Sequence, residues 1–201
     1  MKYNELAQSI KLPFFSLQDL KLAGLKVFGY QLSLWQKRGH IIKLRNGVYV
    51  FADRQKDLSQ EELSALLYSP SFISLEKALS TYGFIPEMAY ACIALTPKTT
   101  RKFENQFGTF IFRHIKPPLY FGYQQITARG LPYLIADQEK ALLDYVYFNR
   151  ARIKGRSDLD EMRLNWNLIK TSISKAKLIQ YAAKFNNKSF QAAFSLLRER
   201  I

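Results

Sequence analysis

The stretch that decides the fold of the N-terminal part is WQKRGHIIKLRNGVYVF, residues 35–51. Two apolar runs, 40–44 and 48–51, flank the tripeptide Arg45-Asn46-Gly47. An Asn-Gly pair between such runs is the strongest short signal for a β-hairpin, because both residues tolerate a positive φ. We therefore predict a strand at 40–44, a turn at 45–47 and a return strand at 48–51.

Three helices are predicted ahead of this hairpin. The first spans residues 3–12 and ends because Pro13 disfavours helical backbone at the preceding residue. Ser16 is the expected N-cap of a second helix at 17–23, where Asp19 suits the positive helix start. A third helix at 28–38 ends at Gly39. The side chains expected on the buried faces of the second and third helices are Leu17, Leu20, Leu22, Phe28, Leu32 and Trp35.

The order of these elements is typical of a winged helix-turn-helix, in which the third helix and the hairpin contact duplex DNA. The sequence therefore predicts a DNA-binding domain at residues 1–56. Polar groups on the outward face of the third helix can reach base edges and phosphates, and basic residues near the hairpin can reach the backbone. The alternative is that these side chains only solvate a helix face. The predicted DNA-binding residues are Ser16, Lys26, Tyr30, Gln31, Ser33, Gln36, Lys37, Arg38, Lys43, Arg45 and Asn46.

Positive charge is concentrated at the two ends of the chain. The formal net charge is +14 over 201 residues, with a net of +7 in residues 1–56, zero in 57–150 and +7 in 151–201. An excess of this size usually indicates a polyanionic partner, since neutralised phosphates release counterions. The distribution indicates that the ends of the chain, rather than its middle, meet that partner.

Composition excludes several classes of protein. Hydrophobic residues make up 48% of the chain, enough for a packed core. The single cysteine, Cys92, excludes an internal disulfide, and its apolar surroundings favour a buried thiol. The N-terminus lacks the apolar core of a signal peptide, and no apolar run approaches the ~20 residues of a membrane span. We expect a cytoplasmic protein with no membrane partner.

The rest of the chain, 57–201, is predicted to be a second domain. Strands are expected at 89–96, 108–115 and 131–135, and helices from near Gln60, at 75–82 and at 137–148. Three further helices are expected in the tail at 157–201, where the candidate caps are Ser157 or Asp158, Ser174, and Asn187 or Ser189. The predicted fold class is thus α+β: a winged helix-turn-helix, then a mixed α/β domain with a small sheet and a helical C-terminal end.

Two basic segments of this second domain have open interpretations. The segment 96–102 contains Lys98, Arg101 and Lys102, and is either an interaction loop or a solvated connection between strands, the latter being favoured. The segment 152–156 contains Arg152, Lys154 and Arg156, and is a second phosphate-contacting surface, a contact to an RNA-handling partner or a charged linker.

No catalytic chemistry is predicted. Asp137, Glu139 and Lys140 superficially resemble part of a metal-dependent nuclease site, but that chemistry needs further carboxylates around one metal ion. At a helix start, Asp137 caps the helix and Glu139 favours its dipole. His40 and His114 lie far apart without a metal-ligand pattern. We expect no enzyme activity, no cofactor and no metal.

Several segments resemble, in order, those of AbiEi-type antitoxins. FSLQDL at 15–20 and the stretch 35–51 are similar to the winged-helix part of that family. YSPSFISLEKAL at 68–79 resembles the helix that opens the family's second domain, and ADQEKALLD at 136–144 resembles its A-x-x-E-K-A-L-x-D stretch.

This resemblance implies a bacterial type IV toxin–antitoxin system. The N-terminal domain would repress the chain's own operon by binding operator DNA. The C-terminal domain would counteract a nucleotidyltransferase-like toxin, with or without binding it directly. The alternative is a stand-alone transcriptional regulator whose C-terminal domain senses a ligand or dimerises. The oligomeric state stays open.

Overall fold

The computed structural model describes residues 1–86, 90–128 and 130–201, and it has a mixed α+β architecture. Short helices precede a hairpin in the N-terminal part, as predicted. The elements of this part are α1 (Tyr3–Ser9), β1 (Phe14–Ser16), α2 (Leu17–Leu22), α3 (Gly29–Lys37), β2 (Ile41–Arg45) and β3 (Val48–Phe51).

Three of the six side chains predicted to be buried on α2 and α3 are buried. Leu20, Leu32 and Trp35 are buried, whereas Leu17, Leu22 and Phe28 are 45%, 80% and 58% exposed. The short α2 presents one leucine to the core. Phe28 is the N-cap of α3 and has extended backbone, so its side chain does not follow the helical stripe.

The hairpin forms a three-stranded antiparallel sheet in the order β1-β3-β2. Strand β1 was not predicted from the sequence; it pairs Phe14 with Val50 and Ser16 with Val48. Every residue of the central strand β3 is buried. Its side chains divide between two hydrophobic cores, since Tyr49 and Phe51 join the core of the N-terminal part and Val48 and Val50 join that of the second part.

A 3-10 helix at Ala52–Asp57 leads into the second part of the chain. The helices that follow are α4 (Gln60–Leu67), α5 (Leu75–Thr81), α6 (Gln138–Asn149), α7 (Arg156–Glu161), α8 (Trp166–Ser172), α9 (Lys175–Ala182) and α10 (Lys188–Arg200). The strands are β4 (Phe72–Ile73), β5 (Ala91–Thr96), β6 (Arg101–Asn105), β7 (Gly108–His114), β8 (Tyr123–Thr127) and β9 (Pro132–Ala136), with a 3-10 turn at Pro117–Leu119.

These strands form a mixed sheet in the order β6-β7-β5-β4-β9-β8. The predicted strands correspond to β5, β7 and β9, although residue 89 of the first prediction lies outside the described residues. Strands β4, β6 and β8 were missed. Since β6 and β8 are polar strands at the two edges of the sheet, they lack the apolar alternation that reveals an inner strand.

Helix caps in the second part largely follow the sequence. Ser59, Asp137, Ser174 and Asn187 each accept the N–H of the residue three positions on. The tail contains α8, which was not predicted and begins after Asn165 as N-cap. The N-cap of α7 is Gly155 rather than either predicted residue.

The predicted burial of Cys92 is confirmed, and burial raises the pKa of its thiol to about 12. Within the described ranges, no helix combines the length and the apolar character that crossing a membrane requires.

Candidate nucleic-acid interface

The C-terminal end of α3 is set by backbone geometry. Gly39 has a φ of +70°, and the N–H of His40 donates to the carbonyl of Trp35 at 2.9 Å. This pattern is a Schellman cap, which lets the chain reverse directly into β2. The cap fixes the last turn of α3, where Lys37 and Arg38 point into solvent.

The exposed surface of α3 combines aromatic, hydroxyl and cationic groups. Tyr30 is 70% exposed and its ring stacks on Phe28 with the centroids 6.0 Å apart. Ser33, Lys37 and Arg38 are exposed on the same helix or at its end, and Lys26 is exposed in the preceding loop. The arrangement offers hydrogen-bond donors and positive charge to a ligand in solution.

Several predicted DNA-binding side chains are instead engaged within the protein. Gln31 is partly buried, accepts the Phe28 N–H at 2.9 Å and donates to the carbonyl of Met1 at 2.7 Å. Gln36 donates to the carbonyl of Leu32 at 3.2 Å. The Ser33 hydroxyl donates to the carbonyl of Gly29 at 3.1 Å, and that of Ser16 accepts the Asp19 N–H at 3.1 Å as a helix cap. For Gln31, the outward orientation that the sequence predicted is wrong.

The hairpin turn differs from a simple two-residue turn. Gly47 has a φ of +76°, but Asn46 does not share the positive φ expected of an Asn-Gly turn. The register between β2 and β3 shifts between Lys43 and Arg45, so Leu44 forms a bulge. The carbonyl of Gly47 accepts the N–H of Leu17 at 2.9 Å, which fixes the turn against the start of α2.

Basic side chains of the hairpin are solvent-exposed. Lys43, Arg45 and Asn46 are all exposed. The guanidinium of Arg45 donates to the carbonyl of Leu66 at 3.3 Å and to that of Asn46 at 3.4 Å, which leaves other N–H donors available.

Acidic groups of the N-terminal part are used for local structure. Glu5 accepts the Lys2 N–H at 2.7 Å, and Asp19 accepts the Ser16 N–H at 2.8 Å. In the part of the chain that the structure describes, no carboxylate forms an ion pair with Lys26, Lys37, Arg38 or Lys43. The exposed cations of α3 and the hairpin are therefore available to an anionic partner.

Two further polar residues of this part have packing roles. His40 stacks on the ring of Tyr3, with the centroids 4.5 Å apart. Arg54 donates to the carbonyls of Ala7 and Ile10 at 2.7 Å and 2.6 Å, and so ties α1 to the end of the hairpin.

The acidic residues at the start of α6 stabilise the helical tail. Glu139 accepts the N–H of Ser174 at 2.9 Å and pairs with the ammonium of Lys177, also at 2.9 Å. Burial alone would raise the pKa of Glu139, but hydrogen bonds from Lys177 and the Ser174 N–H outweigh burial and lower it. Asp137 caps α6 and accepts the hydroxyl of Tyr181 at 3.0 Å.

A fully buried ion pair follows on the same helix. The ammonium of Lys140 bonds the carboxylate of Asp144, which also accepts the Ser74 hydroxyl at 2.8 Å. Rings of Phe72, Phe121 and Phe185 surround the ammonium at 5.2, 5.1 and 5.4 Å. Burial lowers the pKa of Lys140 and raises that of Asp144. Neither group reaches solvent. Because Ser74 is the N-cap of α5 and Phe185 belongs to the tail, the pair connects α5, α6 and the tail.

No cluster of histidine, cysteine, aspartate and glutamate capable of holding a metal ion occurs among residues 1–86, 90–128 and 130–201.

A cleft with a volume of about 600 Å³ lies between β5, α6 and α7, where Glu76, Tyr145, Asn149 and Arg152 contribute polar groups. Comparison with protein-family models and with curated proteins gives no match to this chain.

The position of Lys98 and Arg101 was not predicted from the sequence. A solvated connection was favoured for this segment, but Arg101 begins β6, and both cations lie beside the hairpin bearing Lys43 and Arg45. Only the pairing of β6 with β7 and its contact with Leu44 reveal this proximity.

Proposed function

We propose that this chain is a transcriptional regulator whose N-terminal part, residues 1–56, is a winged helix-turn-helix that binds duplex DNA. The observation that carries the proposal is the set of exposed cations on α3 and the hairpin, which have no carboxylate partner among the described residues, while Glu5 and Asp19 of the same part cap helices. Helix order and the three-stranded antiparallel sheet support it.

Contact roles follow from the geometry of each side chain. Lys37 and Arg38, at the exposed end of α3, are proposed to contact phosphate or a base edge. Lys43 and Arg45 would contact the backbone from the hairpin. Gln31 would instead hold α3 against the N-terminus, because its amide donates to Met1, while the amide of Gln36 bonds the carbonyl of Leu32 within the same helix.

We further propose that the chain acts as the antitoxin of a type IV toxin–antitoxin system and represses its own operon. The support is the resemblance of segments 15–20, 35–51, 68–79 and 136–144 to AbiEi-type antitoxins. In this proposal the second part, 57–201, counteracts a nucleotidyltransferase-like toxin in the cytoplasm.

The alternative is a stand-alone regulator whose second part senses a small ligand. The cleft of about 600 Å³ beside α6 favours it, since most small-molecule sites are clefts of this scale. A neighbouring gene that encodes a nucleotidyltransferase would favour the antitoxin over this alternative.

Gel-shift titrations test DNA binding. With the chain's own promoter region as probe, Lys37→Ala and Arg38→Ala should each reduce the magnitude of the negative slope of log K against log salt by about 1. The cost is roughly 1–3 kcal/mol if the residue reads a base. Lys188→Ala, at an exposed position of α10, is the matched control. Unchanged binding by both α3 variants, or no binding by the wild type, would refute the proposed interface.

Growth rescue tests the antitoxin role. The full chain expressed with the neighbouring toxin gene should restore growth, and the double variant Lys37→Ala/Arg38→Ala should rescue equally well while it fails to repress a promoter reporter. Absence of rescue by the wild-type chain would exclude antitoxicity and leave the ligand-sensing regulator.

A further inference from the structure

A basic groove of about 650 Å³ separates the hairpin from the edge of the six-stranded sheet. Lys43 and Arg45 of the hairpin line one side, and Lys98 and Arg101 of the second part line the other. The groove therefore combines cations from the basic N-terminal part with cations from the electrically neutral middle of the chain.

The two sides of the groove are tied together by hydrogen bonds. The side-chain amide of Asn105 on β6 donates to the carbonyl of Leu44 at the hairpin bulge, at 3.3 Å. Arg45 donates to the carbonyl of Leu66 at the end of α4, also at 3.3 Å. These bonds, together with the burial of Leu44 in the second core, fix the spacing of the two sides.

The cations of the second part are held over an aromatic ring. The Lys98 ammonium lies 5.5 Å from the ring centroid of Tyr68, and the Arg101 guanidinium lies 5.3 Å from it. Lys98 also donates to the carbonyl of Ser69 at 2.6 Å. Such contacts orient the two groups without neutralising them.

Little negative charge balances the groove. Among the described residues that line it, Glu104 is the only acid, and it pairs with Lys102 at 2.5 Å. Within residues 1–86, 90–128 and 130–201, no ion pair involves Lys43, Arg45, Lys98 or Arg101. Four cations in one open groove favour a polyanion over a neutral ligand.

We propose that this groove binds the phosphodiester backbone of the same duplex that α3 contacts. The inference rests on the proposed DNA binding and extends it, because Lys43 and Arg45 belong to both surfaces and make them continuous. Lysine and arginine bind phosphate oxygens by charge-assisted hydrogen bonds. The DNA-binding surface is thus composite: the second part adds phosphate contacts, independent of base sequence, beside the hairpin.

The test compares the double variant Lys98→Gln/Arg101→Gln with the double variant Lys116→Gln/Lys188→Gln in gel-shift titrations over a range of salt. For the groove variant, the magnitude of the negative slope of log K against log salt should fall by about 2, with an affinity loss on the order of tenfold or more at 0.1 M salt. The loss should be equal for promoter and random duplexes, since phosphate contacts carry no sequence information.

The matched control is the double variant Lys116→Gln/Lys188→Gln, which also removes two exposed lysine charges, at positions that do not line the groove. An unchanged slope for this control, with melting curves showing that all variants fold, supports the proposal. A change of the same size in the control would overturn it, since binding would then depend on total charge alone.

Failure of this inference can be distinguished from failure of the proposed function. If Lys37→Ala weakens binding and the groove variant binds like wild type, only the groove assignment is wrong, and its cations serve another partner such as an acidic protein. If the wild type binds no duplex, the proposed function fails as well.

Discussion

The cations of α3 and the hairpin and the charged residues of α6 have opposite environments. Lys26, Lys37, Arg38 and Lys43 are exposed and have no carboxylate partner among the described residues. By contrast, the charges at the start of α6 and inside it are paired, and Lys140 and Asp144 are fully buried. The difference shows that charged residues stabilise the fold at α6 and face solvent on α3 and the hairpin.

The same contrast distinguishes the start of α6 from the exposed face of α3. At the start of α6, the carboxylates accept hydrogen bonds from groups within the protein, so they are not available to a ligand. The basic face of α3 has no such partners among the described residues. Variants should therefore lose stability at α6 and lose binding at α3.

The largest effect is expected from breaking the buried pair. Asp144→Asn leaves the Lys140 ammonium without its counter-charge at full burial, and should lower the free energy of unfolding by about 3–5 kcal/mol. Urea denaturation measures the loss. The double variant Lys140→Met/Asp144→Leu should recover most of it, because apolar side chains remove the charge as well as the partner.

An exposed pair provides the control for this prediction. Arg200 bonds Asp160 with side chains 36% and 52% exposed, so Arg200→Gln should change stability by about 0–1 kcal/mol. Similar losses for Asp144→Asn and Arg200→Gln would show that burial does not distinguish the two pairs.

A smaller, pH-dependent effect is expected at Glu139. A carboxyl whose pKa is lower in the folded than in the unfolded chain adds stability above its unfolded value, here 4.5, and loses it as pH falls through the folded pKa. Glu139→Gln should therefore destabilise the protein at neutral pH and flatten the decline in stability below pH 4.5.

Urea midpoints of wild type and variant at a series of pH values measure this dependence. Glu161→Gln is the control, since that side chain is exposed on α7. If the Glu139→Gln curve runs parallel to the wild-type curve through the acidic range, the hydrogen bonds to Ser174 and Lys177 do not set the stability of the tail.

The smallest effect is expected at Phe28. Because its side chain is 58% exposed at the N-cap of α3, Phe28→Ala should change the free energy of unfolding by about 0.5 kcal/mol or less. Leu32→Ala, one turn further and 5% exposed, should cost about 2–5 kcal/mol. Equal losses of unfolding free energy for the two variants, in thermal or urea unfolding, would show that both residues face the core, as the sequence predicted.

Elements that local chemistry determines were predictable from the sequence. Gly39 ended α3, and Asp137 and Ser174 capped their helices, because each signal acts within a few residues. The hairpin strands were found for the same reason. The bulge at Leu44 was not, since it depends on contact with a distant core.

Features that depend on tertiary contacts were missed. Edge strand β6 is mostly polar and lacks the apolar alternation that predicts a strand. Its position beside the hairpin could therefore not be predicted from the sequence. Likewise, nothing local indicates that Gln31 reaches the carbonyl of Met1 instead of solvent. The polar pattern of α3 thus overstated the number of side chains that are free to contact a ligand.

Strand β3 limits how far the two parts can be treated as separable modules. A fragment ending near residue 56 would uncover Leu44, Val48 and Val50, which are at most 4% exposed in the whole chain. Conversely, a fragment that starts near residue 56 would lack Leu44, Val48 and Val50, which belong to its own hydrophobic core. We therefore expect one cooperative unfolding transition, with the slowest-exchanging amides of the hairpin protected as strongly as those of the large sheet.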